Sequence, residues 1–145
     1  MKIVLLAATF FGYSFASCSQ DISENQVPSL VKNSFKTQFT EATDIKWEKE
    51  KNVYEAEFVQ NQQELSAQFD EAGKLLYVKT EIALTDIPAA VLQTITAKYA
   101  DKKIDEAEKI VKEGKTFYEV ELDGRFLSQE LVLTEDGKID KNQKF

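Results

Sequence analysis

The sequence has 145 residues, with 25 acidic and 18 basic side chains, a formal net charge of −7, one cysteine and no histidine. This acidic balance argues against nucleic acid as a partner, because binding to phosphates requires clustered Lys and Arg. It argues equally against adhesion to anionic lipid. Without histidine, the commonest general base and metal ligand is missing, and Ser-His and Cys-His nucleophile pairs are excluded. We therefore expect a protein that is not an enzyme and has no cofactor.

The first 17 residues predict an export signal. Lys2 gives a positive start, residues 3–11 form a short apolar run, and small residues follow up to Cys18. The run is far shorter than the roughly 20 apolar residues that cross a bilayer, and no comparable run follows. We predict a signal peptide at residues 1–17 and a mature protein without a transmembrane helix, exported to the periplasm or the outer membrane.

Cys18 resembles the cysteine of a bacterial lipobox, which becomes the lipidated first residue of the mature chain. Phe15 departs from the small aliphatic residue that is usual in that motif. The rival interpretation is ordinary cleavage after Ala16, since Ser14 and Ala16 also fit the small-residue rule. The lipoprotein is favoured because the polar residues 18–26 have the composition of a flexible tether between a lipid and a domain.

An internal repeat organises the rest of the chain. The pieces that recur in order are Val27-Pro28 as Ile87-Pro88, Phe39 as Tyr99 at the same spacing, residues 54–58 as 118–122, and residues 71–75 as 135–139. We predict two copies of one unit that differ by a short insertion, at residues 27–83 and 84–145.

Each copy is predicted to form one helix followed by up to four antiparallel strands. Pro28 and Pro88 suit the first turn of a helix. Apolar residues then recur at three- to four-residue spacing: Leu30, Val31, Phe35 and Phe39 in the first copy, and Ile87, Val91, Ile95 and Tyr99 in the second. After each helix the apolar residues alternate, which indicates strands. Residues 102–111 also fit a helix, but the repeat favours a strand.

Several positions carry sharper expectations. Asp123-Gly124 predicts a two-residue hairpin turn, and Gly73 and Gly137 predict the positive φ of longer hairpins. Trp47 is predicted to lie in the core. Alternation places Leu75 and Tyr77 on the same side of one strand.

These features together resemble a known group. The Val-Pro helix starts, Trp47 soon after the first of them, the Tyr-Glu-x-Glu-apolar strands at Tyr54 and Tyr118, and the x-x-Gly-Lys hairpins look like the PepSY-like group related to the beta-lactamase-inhibitor protein fold. The resemblance covers nearly all of residues 27–145, although Trp47 has no tryptophan counterpart in the second copy. It implies an α+β fold in which helices cover one face of an antiparallel sheet. It also implies an exported location, and inhibition of an envelope peptidase or another enzyme.

Two pairs of glutamates are the remaining candidates for acid–base chemistry. Glu55 with Glu57, and Glu119 with Glu121, each lie on one strand face with Cα atoms about 6.7 Å apart, a spacing that overlaps the range of glycosidase carboxylates. Because apolar residues alternate with them, solvated strand positions are the favoured interpretation. The acidic turns at 70–73 and 135–137 lack the alternating ligands of an EF-hand, so we predict hairpins and no metal site.

The sheet face away from the helices is predicted to be mostly acidic, with two aromatic residues. Its members are Lys46, Glu48, Glu55, Glu57, Glu64, Gln68, Phe117, Glu119, Glu121, Phe126 and Glu130. Exposed aromatics among charges are typical of recognition surfaces. The candidate residues for binding are Glu55, Glu57, Phe117, Glu119, Glu121 and Phe126. The alternative for the two phenylalanines is a cross-strand pair.

Two functions follow from this face. The first is a non-enzymatic envelope protein that binds, and inhibits or regulates, a partner with a basic patch, because complementary charge steers the encounter. The second is an envelope scaffold or sensor component without inhibitory activity, whose acidic face is simply solvated.

Overall fold

The structure is a computed structural model that describes residues 19–124 and 128–145. Its helices and strands follow in the order β1 (Gln20–Ile22), α1 (Ser29–Gln38), β2 (Thr43–Glu50), β3 (Val53–Gln60), β4 (Gln63–Asp70), β5 (Leu75–Glu81), α2 (Ala89–Lys98), β6 (Ile104–Lys112), β7 (Lys115–Leu122) and β8 (Gln129–Thr134). A short 3-10 helix precedes each α-helix, at Glu24–Gln26 and at Leu84–Asp86. The predicted signal peptide and Cys18 lie outside the described residues.

The strands form one open antiparallel sheet of eight strands, in sequential order from β1 to β8. The predicted α+β class is therefore confirmed. All but the first two residues of the ambiguous segment 102–111 belong to β6, so the strand prediction there is also confirmed. Within residues 19–124 and 128–145, neither α-helix is long and apolar enough to cross a membrane.

Helix α1 packs on the sheet through one aromatic residue above all. Phe35 is buried, and its ring meets those of Trp47, Phe58 and Phe69 edge-on, with centroid distances of 5.2, 5.0 and 6.3 Å. Edge-on aromatic pairs each add about 0.5–1.5 kcal/mol beyond the burial of their area. Trp47 is 6% exposed, so its predicted place in the core is confirmed. Leu30 is the exception in the predicted helical stripe: it is 60% exposed, because the buried side of α1 is centred on Val31 and Phe35.

Helix α2 packs on the same side of the sheet, over its second half. Val91 and Ile95 are buried there, together with Ile87, which precedes the helix. The strands contribute Ala107, Tyr118, Val120, Leu122, Leu131 and Leu133 to this second core. The two helices therefore cover one face, and no helix among residues 19–124 and 128–145 covers the other, which we call the open face.

Two glycine turns press against the helices. Gly73 and Gly137 have φ values of +81° and +79°, so their predicted positive φ is confirmed. A Cβ at Gly73 would lie 2.7 Å from the carbonyl oxygen of Leu30, and one at Gly137 only 2.3 Å from that of Ala90. Glycine is thus required at these turns both by its backbone conformation and by the closeness of the helices.

The segment that composition assigns to a flexible tether is partly ordered. Residues 20–22 form β1, which pairs with β2 through Gln20 and Lys49 and through Ile22 and Trp47. Ile22 also packs against the first core. The tether prediction for 18–26 is therefore wrong over β1 and the 3-10 helix, because the backbone ladder and the burial of one apolar side chain offset the cost of ordering a polar segment.

The connection between β7 and β8 is longer than predicted. Leu122 pairs with Gln129, so residues 123–128 join the strands and the two-residue turn at Asp123-Gly124 is wrong. The backbone N–H of Asp123 donates instead to the carbonyl oxygen of Lys103, at 2.8 Å. Two-residue hairpins occur elsewhere, at 61–62 and 113–114, where both residues of each turn have positive φ.

A bulge in β5 changes which face Tyr77 occupies. Tyr77 is opposite Gln68 and Leu75 is opposite Phe69, so β5 has one extra residue, Leu76, at this point. Leu75 packs against the first core under α1, whereas Tyr77 belongs to a separate cluster on the open face. The expectation that Leu75 and Tyr77 share a face is wrong, because an extra residue shifts the alternation of side chains by one position.

Candidate binding face

The open face has an acidic part in which glutamates stand directly opposite one another on neighbouring strands. The opposed pairs are Glu48 with Glu55, Glu81 with Glu108, Glu106 with Glu121, Glu108 with Glu119, and Glu121 with Glu130. Directly opposed side chains have Cβ atoms about 4.5–5.5 Å apart, and like charges in that position destabilise a sheet. The glutamates of the last three strands, Glu106, Glu108, Glu119, Glu121 and Glu130, are called the acidic ladder below.

One lysine partly compensates the acidic ladder from within. Lys79 on β5 donates from Nζ to Oε2 of Glu108 at 3.1 Å and to Oε1 of Glu119 at 2.9 Å. Its side chain is 13% exposed. Burial acts to lower the pKa of Lys79, but the two carboxylates outweigh it and hold this pKa above its ordinary value. Lys79 therefore remains charged and holds three strands together on the open face.

Glu119 is the most deeply buried member of the ladder. The residue is 7% exposed, and its Oε2 atom accepts no hydrogen bond from the described residues. Burial and the neighbouring carboxyl group of Glu130 raise the pKa of Glu119 to about 8, against the opposite effect of Lys79. A proton on Oε2, donated toward Glu130, would satisfy this atom, so the raised pKa and the missing partner have one explanation.

The pKa is also raised for half-buried glutamates in both halves of the sheet. Burial raises the pKa of Glu55, and the opposed Glu48 adds to the rise. Burial also raises the pKa of Glu57 and of Glu106, and in each case nearby glutamates contribute further. Negative charge is therefore so concentrated on the open face that, together with burial, it disfavours the ionised form of these glutamates.

An apolar patch lies next to the acidic ladder on the open face. It consists of the buried residues Tyr77, Ile110, Phe117 and Val132, with Leu76 and Phe145 packed against them. The ring of Phe145 meets Tyr77 edge-on at 5.3 Å between centroids and lies 5.6 Å from Phe117. Lys112 Nζ lies 5.3 Å from the centre of the Phe145 ring. Residues near Phe145 thus fold back over the sheet.

The predicted candidates for partner binding are placed differently from one another. Glu55, Glu57 and Glu121 lie half-buried on the open face. Phe117 and Glu119 lie on the same face but are buried, Phe117 beneath Phe145 and Glu119 beside Lys79. Phe126 lies outside the described residues. The role of these residues in binding stays a prediction.

Several residues of the open face were not predicted, namely Glu81, Glu106, Glu108, Ile110, Val132, Tyr77, Lys79 and Phe145. The bulge hides Tyr77 and Lys79, because strict alternation from Leu75 assigns both to the helix side. Nothing in the sequence marks Phe145 as a residue that returns to the sheet. Among the described residues, no group of three or more acidic or cysteine side chains is placed to hold a metal ion.

Comparison with known proteins identifies the family. A family model described as "Putative beta-lactamase-inhibitor-like, PepSY-like" matches residues 16–77 and residues 52–141. The chain belongs to this family. No curated protein matches this PepSY-like chain.

Solved structures share the fold of this PepSY-like protein. A BLIP-like protein from Bacteroides fragilis is 25% identical, with a TM-score of 0.67 over 77% of this chain and 82% of that one. A protein described as "putative periplasmic" from Bacteroides eggerthii is 20% identical, with a TM-score of 0.72 over 78% and 85%. A DUF2874 family protein from Bacteroides uniformis is 20% identical, with a TM-score of 0.71 over 77% and 85%.

Proposed function

We propose that this chain is an exported, non-enzymatic binding protein of the bacterial envelope that captures a protein partner with a basic surface on its open face. The observation that carries the proposal is the set of directly opposed glutamates across β6, β7 and β8. Opposed like charges cost stability in the free protein, and a cationic partner would convert that cost into attraction. The arrangement is therefore better suited to binding than to folding.

The proposed location and class draw on the relatives. The family description names beta-lactamase inhibitors, and a related structure is described as periplasmic. An exported chain with a signal peptide at 1–17 and a lipid on Cys18 fits both descriptions. Two tandem copies of one unit are proposed at 27–83 and 84–145; the family model also matches twice, although its matches at 16–77 and 52–141 overlap and have other boundaries. Inhibition of an envelope peptidase or another enzyme is the corresponding activity.

The test is capture of a partner by the immobilised chain from an envelope extract of the native organism, followed by direct measurement of the isolated pair. The test variant is Glu57→Lys with Glu121→Lys, which reverses charge at two half-buried positions of the open face. Glu119 is left intact because its replacement would also break the contact with Lys79. The control is Glu41→Lys with Glu71→Lys, which changes the net charge equally at exposed positions outside the sheet.

We expect the partner to be retained by the unmodified chain and by the control, and its affinity to fall at least tenfold for the test variant. Equal retention by all three proteins would overturn the proposal and favour the scaffold or sensor component with a solvated acidic face. An enzyme among the retained partners is then assayed with and without the chain, because loss of its activity separates inhibition from simple capture.

A further inference from the structure

The seat of Phe145 has the properties of a binding subsite that the chain fills by itself. The aromatic ring rests on Tyr77 and Phe117 and is flanked by the Lys112 ammonium. A seat formed by two aromatic rings, with a cation over the ring that occupies it, is a good receptor for another aromatic side chain, because the ring buries much area and loses little conformational freedom. We call this seat the aromatic subsite.

Carboxylates adjoin the aromatic subsite on two strands. Glu108 lies two residues before Ile110 on β6, and Glu119 lies two residues after Phe117 on β7. Each glutamate is on the same face as its apolar neighbour. A separation of two residues along a strand is about 6.7 Å. A ligand whose aromatic ring occupies the subsite would therefore place a neighbouring side chain over the acidic ladder, where only a basic side chain is favourable.

The segment that now fills the subsite is held chiefly by side chains. The N–H of Asp140 donates to the carbonyl oxygen of Val132 at 2.8 Å. Beyond Asp140, the described hydrogen bonds are the local one from Asn142 N–H to Asp140 and the one from Lys112 Nζ to Gln143 Oε1 at 3.0 Å. No strand includes residues 141–145. A segment without a backbone ladder is free to exchange with a competitor.

The sequence of this segment has the same chemistry as the ligand that the subsite and the ladder require. Residues 141–145 read Lys-Asn-Gln-Lys-Phe, two basic residues and one aromatic. Both lysines are exposed, and neither forms an ion pair with the described residues. The segment thus occupies the aromatic subsite without neutralising the acidic ladder.

We propose that residues 141–145 are an intramolecular competitor for the aromatic subsite, and that a partner displaces Phe145 with an exposed aromatic side chain that has a Lys or Arg beside it. This inference rests on the proposed function of the open face and specifies what that face recognises. The partner gains the attraction of the acidic ladder, which the chain's own segment leaves unused. Intramolecular occupation acts at an effective concentration on the order of millimolar, and it lowers the apparent affinity of every ligand of the subsite by the same factor. A ligand must therefore gain additional binding energy outside the subsite, such as attraction to the acidic ladder, to displace Phe145.

The experiment uses a capped synthetic peptide, Lys-Asn-Gln-Lys-Phe, as the probe and follows the ring signals of Tyr77 and Phe117 by NMR during a titration. The proteins are the intact chain, the Phe145→Ala variant, which empties the subsite, and Leu30→Ala, an exposed apolar control on α1. We expect the peptide to bind the Phe145→Ala variant at least tenfold more tightly than the intact chain or the Leu30→Ala control. The same peptide with alanine in place of phenylalanine should not bind.

Two outcomes would overturn the inference: equal binding to all three proteins, or no binding to a Phe145→Ala variant whose amide spectrum is that of the folded chain. If that variant fails to fold, the intact chain gives the answer, because excess peptide must then shift the Gln143 and Phe145 signals toward those of a released segment; unchanged signals reject the competitor. The titration involves no envelope partner, so its failure is distinct from equal retention in the capture experiment.

Discussion

Lys79 Nζ on β5 lies 2.9 Å from Oε1 of Glu119 on β7, so this ion pair bridges the whole width of β6. The same ammonium group also contacts Glu108 on the intervening strand, at 3.1 Å. The contact between Lys79 and these two glutamates joins the part of the sheet under α1 to the part under α2. The side chains of Lys79, Glu108 and Glu119 are 13, 27 and 8% exposed, so removal of one of them lowers the stability of the fold.

Replacement of Lys79 by methionine should destabilise the protein strongly. Above about pH 8, where Glu119 is ionised, it leaves this buried carboxylate without a cation, and removal of one member of a buried pair costs about 3–5 kcal/mol. We expect that loss in the free energy of unfolding, measured by urea denaturation. Lys74→Met removes an exposed pair with Glu113 and should cost less than about 1 kcal/mol. Adding Glu119→Gln to Lys79→Met should recover part of the loss; no recovery would mean that packing, and not charge, explains it.

Stability should fall as the pH rises through the neutral range. Burial raises the pKa of Glu119 to about 8 from the ordinary value of 4.5, and raises that of Glu55, Glu57 and Glu106. Between these values the folded chain binds more protons than the unfolded chain, so the free energy of unfolding decreases with pH. Urea denaturation between pH 5 and 8 measures this decrease.

The variant Glu119→Gln tests which group dominates that pH dependence. It removes the titrating carboxyl group while its amide oxygen can still accept from Lys79, so we expect a shallower decrease, with a gain on the order of 1 kcal/mol at pH 8. The groups that face Glu119 are Lys79, Glu108, Glu130 and Tyr77. Stability that rises from pH 5 to 8 in the unmodified protein would contradict the assignment.

Gly137→Ala should be far more harmful than Gly114→Ala, although the two glycines have φ values of +79° and +75°. A Cβ at Gly137 would lie 2.3 Å from the carbonyl oxygen of Ala90, whereas nothing lies within 4 Å of one at Gly114. We expect a loss of at least about 3 kcal/mol at Gly137 from strain and displacement of α2, and about 1 kcal/mol at Gly114 from the left-handed backbone alone. Thermal unfolding by circular dichroism compares them, and equal losses would argue against the close contact with the helix.

Phe35→Ala should cost about 3–5 kcal/mol, because it leaves a large cavity at the point where the rings of three strand residues converge. The fluorescence of Trp47, whose ring lies 5.2 Å from that of Phe35, should shift to the red as water gains access. Leu30→Ala on the same helix, at a position 60% exposed, should change stability by less than about 0.5 kcal/mol and leave the emission unchanged. A similar loss of stability in both variants would mean that Phe35 is not the main contact between α1 and the sheet.

Much of this fold can be predicted from the sequence, because the turn residues and the alternation of apolar residues indicate the same strands. Gly73 and Gly137 mark turns that admit little else, and the alternation of Tyr54, Ala56 and Phe58 assigns β3 its two faces. Tyr77 could not be placed in the same way, since a single extra residue at Leu76 reverses the alternation that a sequence pattern assumes.

The candidate site was less predictable than the fold. The positions of Glu55, Glu57 and Glu121 follow from alternation alone. The burial of Phe117 depends on Phe145, which is near it in space and distant along the chain. The order in residues 20–22 likewise depends on pairing with β2, which polar composition does not reveal.

The early start of β1 has a consequence for how the domain sits in the envelope. Gln20 is already paired with Lys49, and a lipid on Cys18 would be two residues away, at most about 7 Å of chain. A lipid on Cys18, as proposed above, would keep the β1 border of the sheet close to the headgroups. The acidic ladder, at the opposite border, would then point away from the bilayer surface, toward whatever diffuses past it.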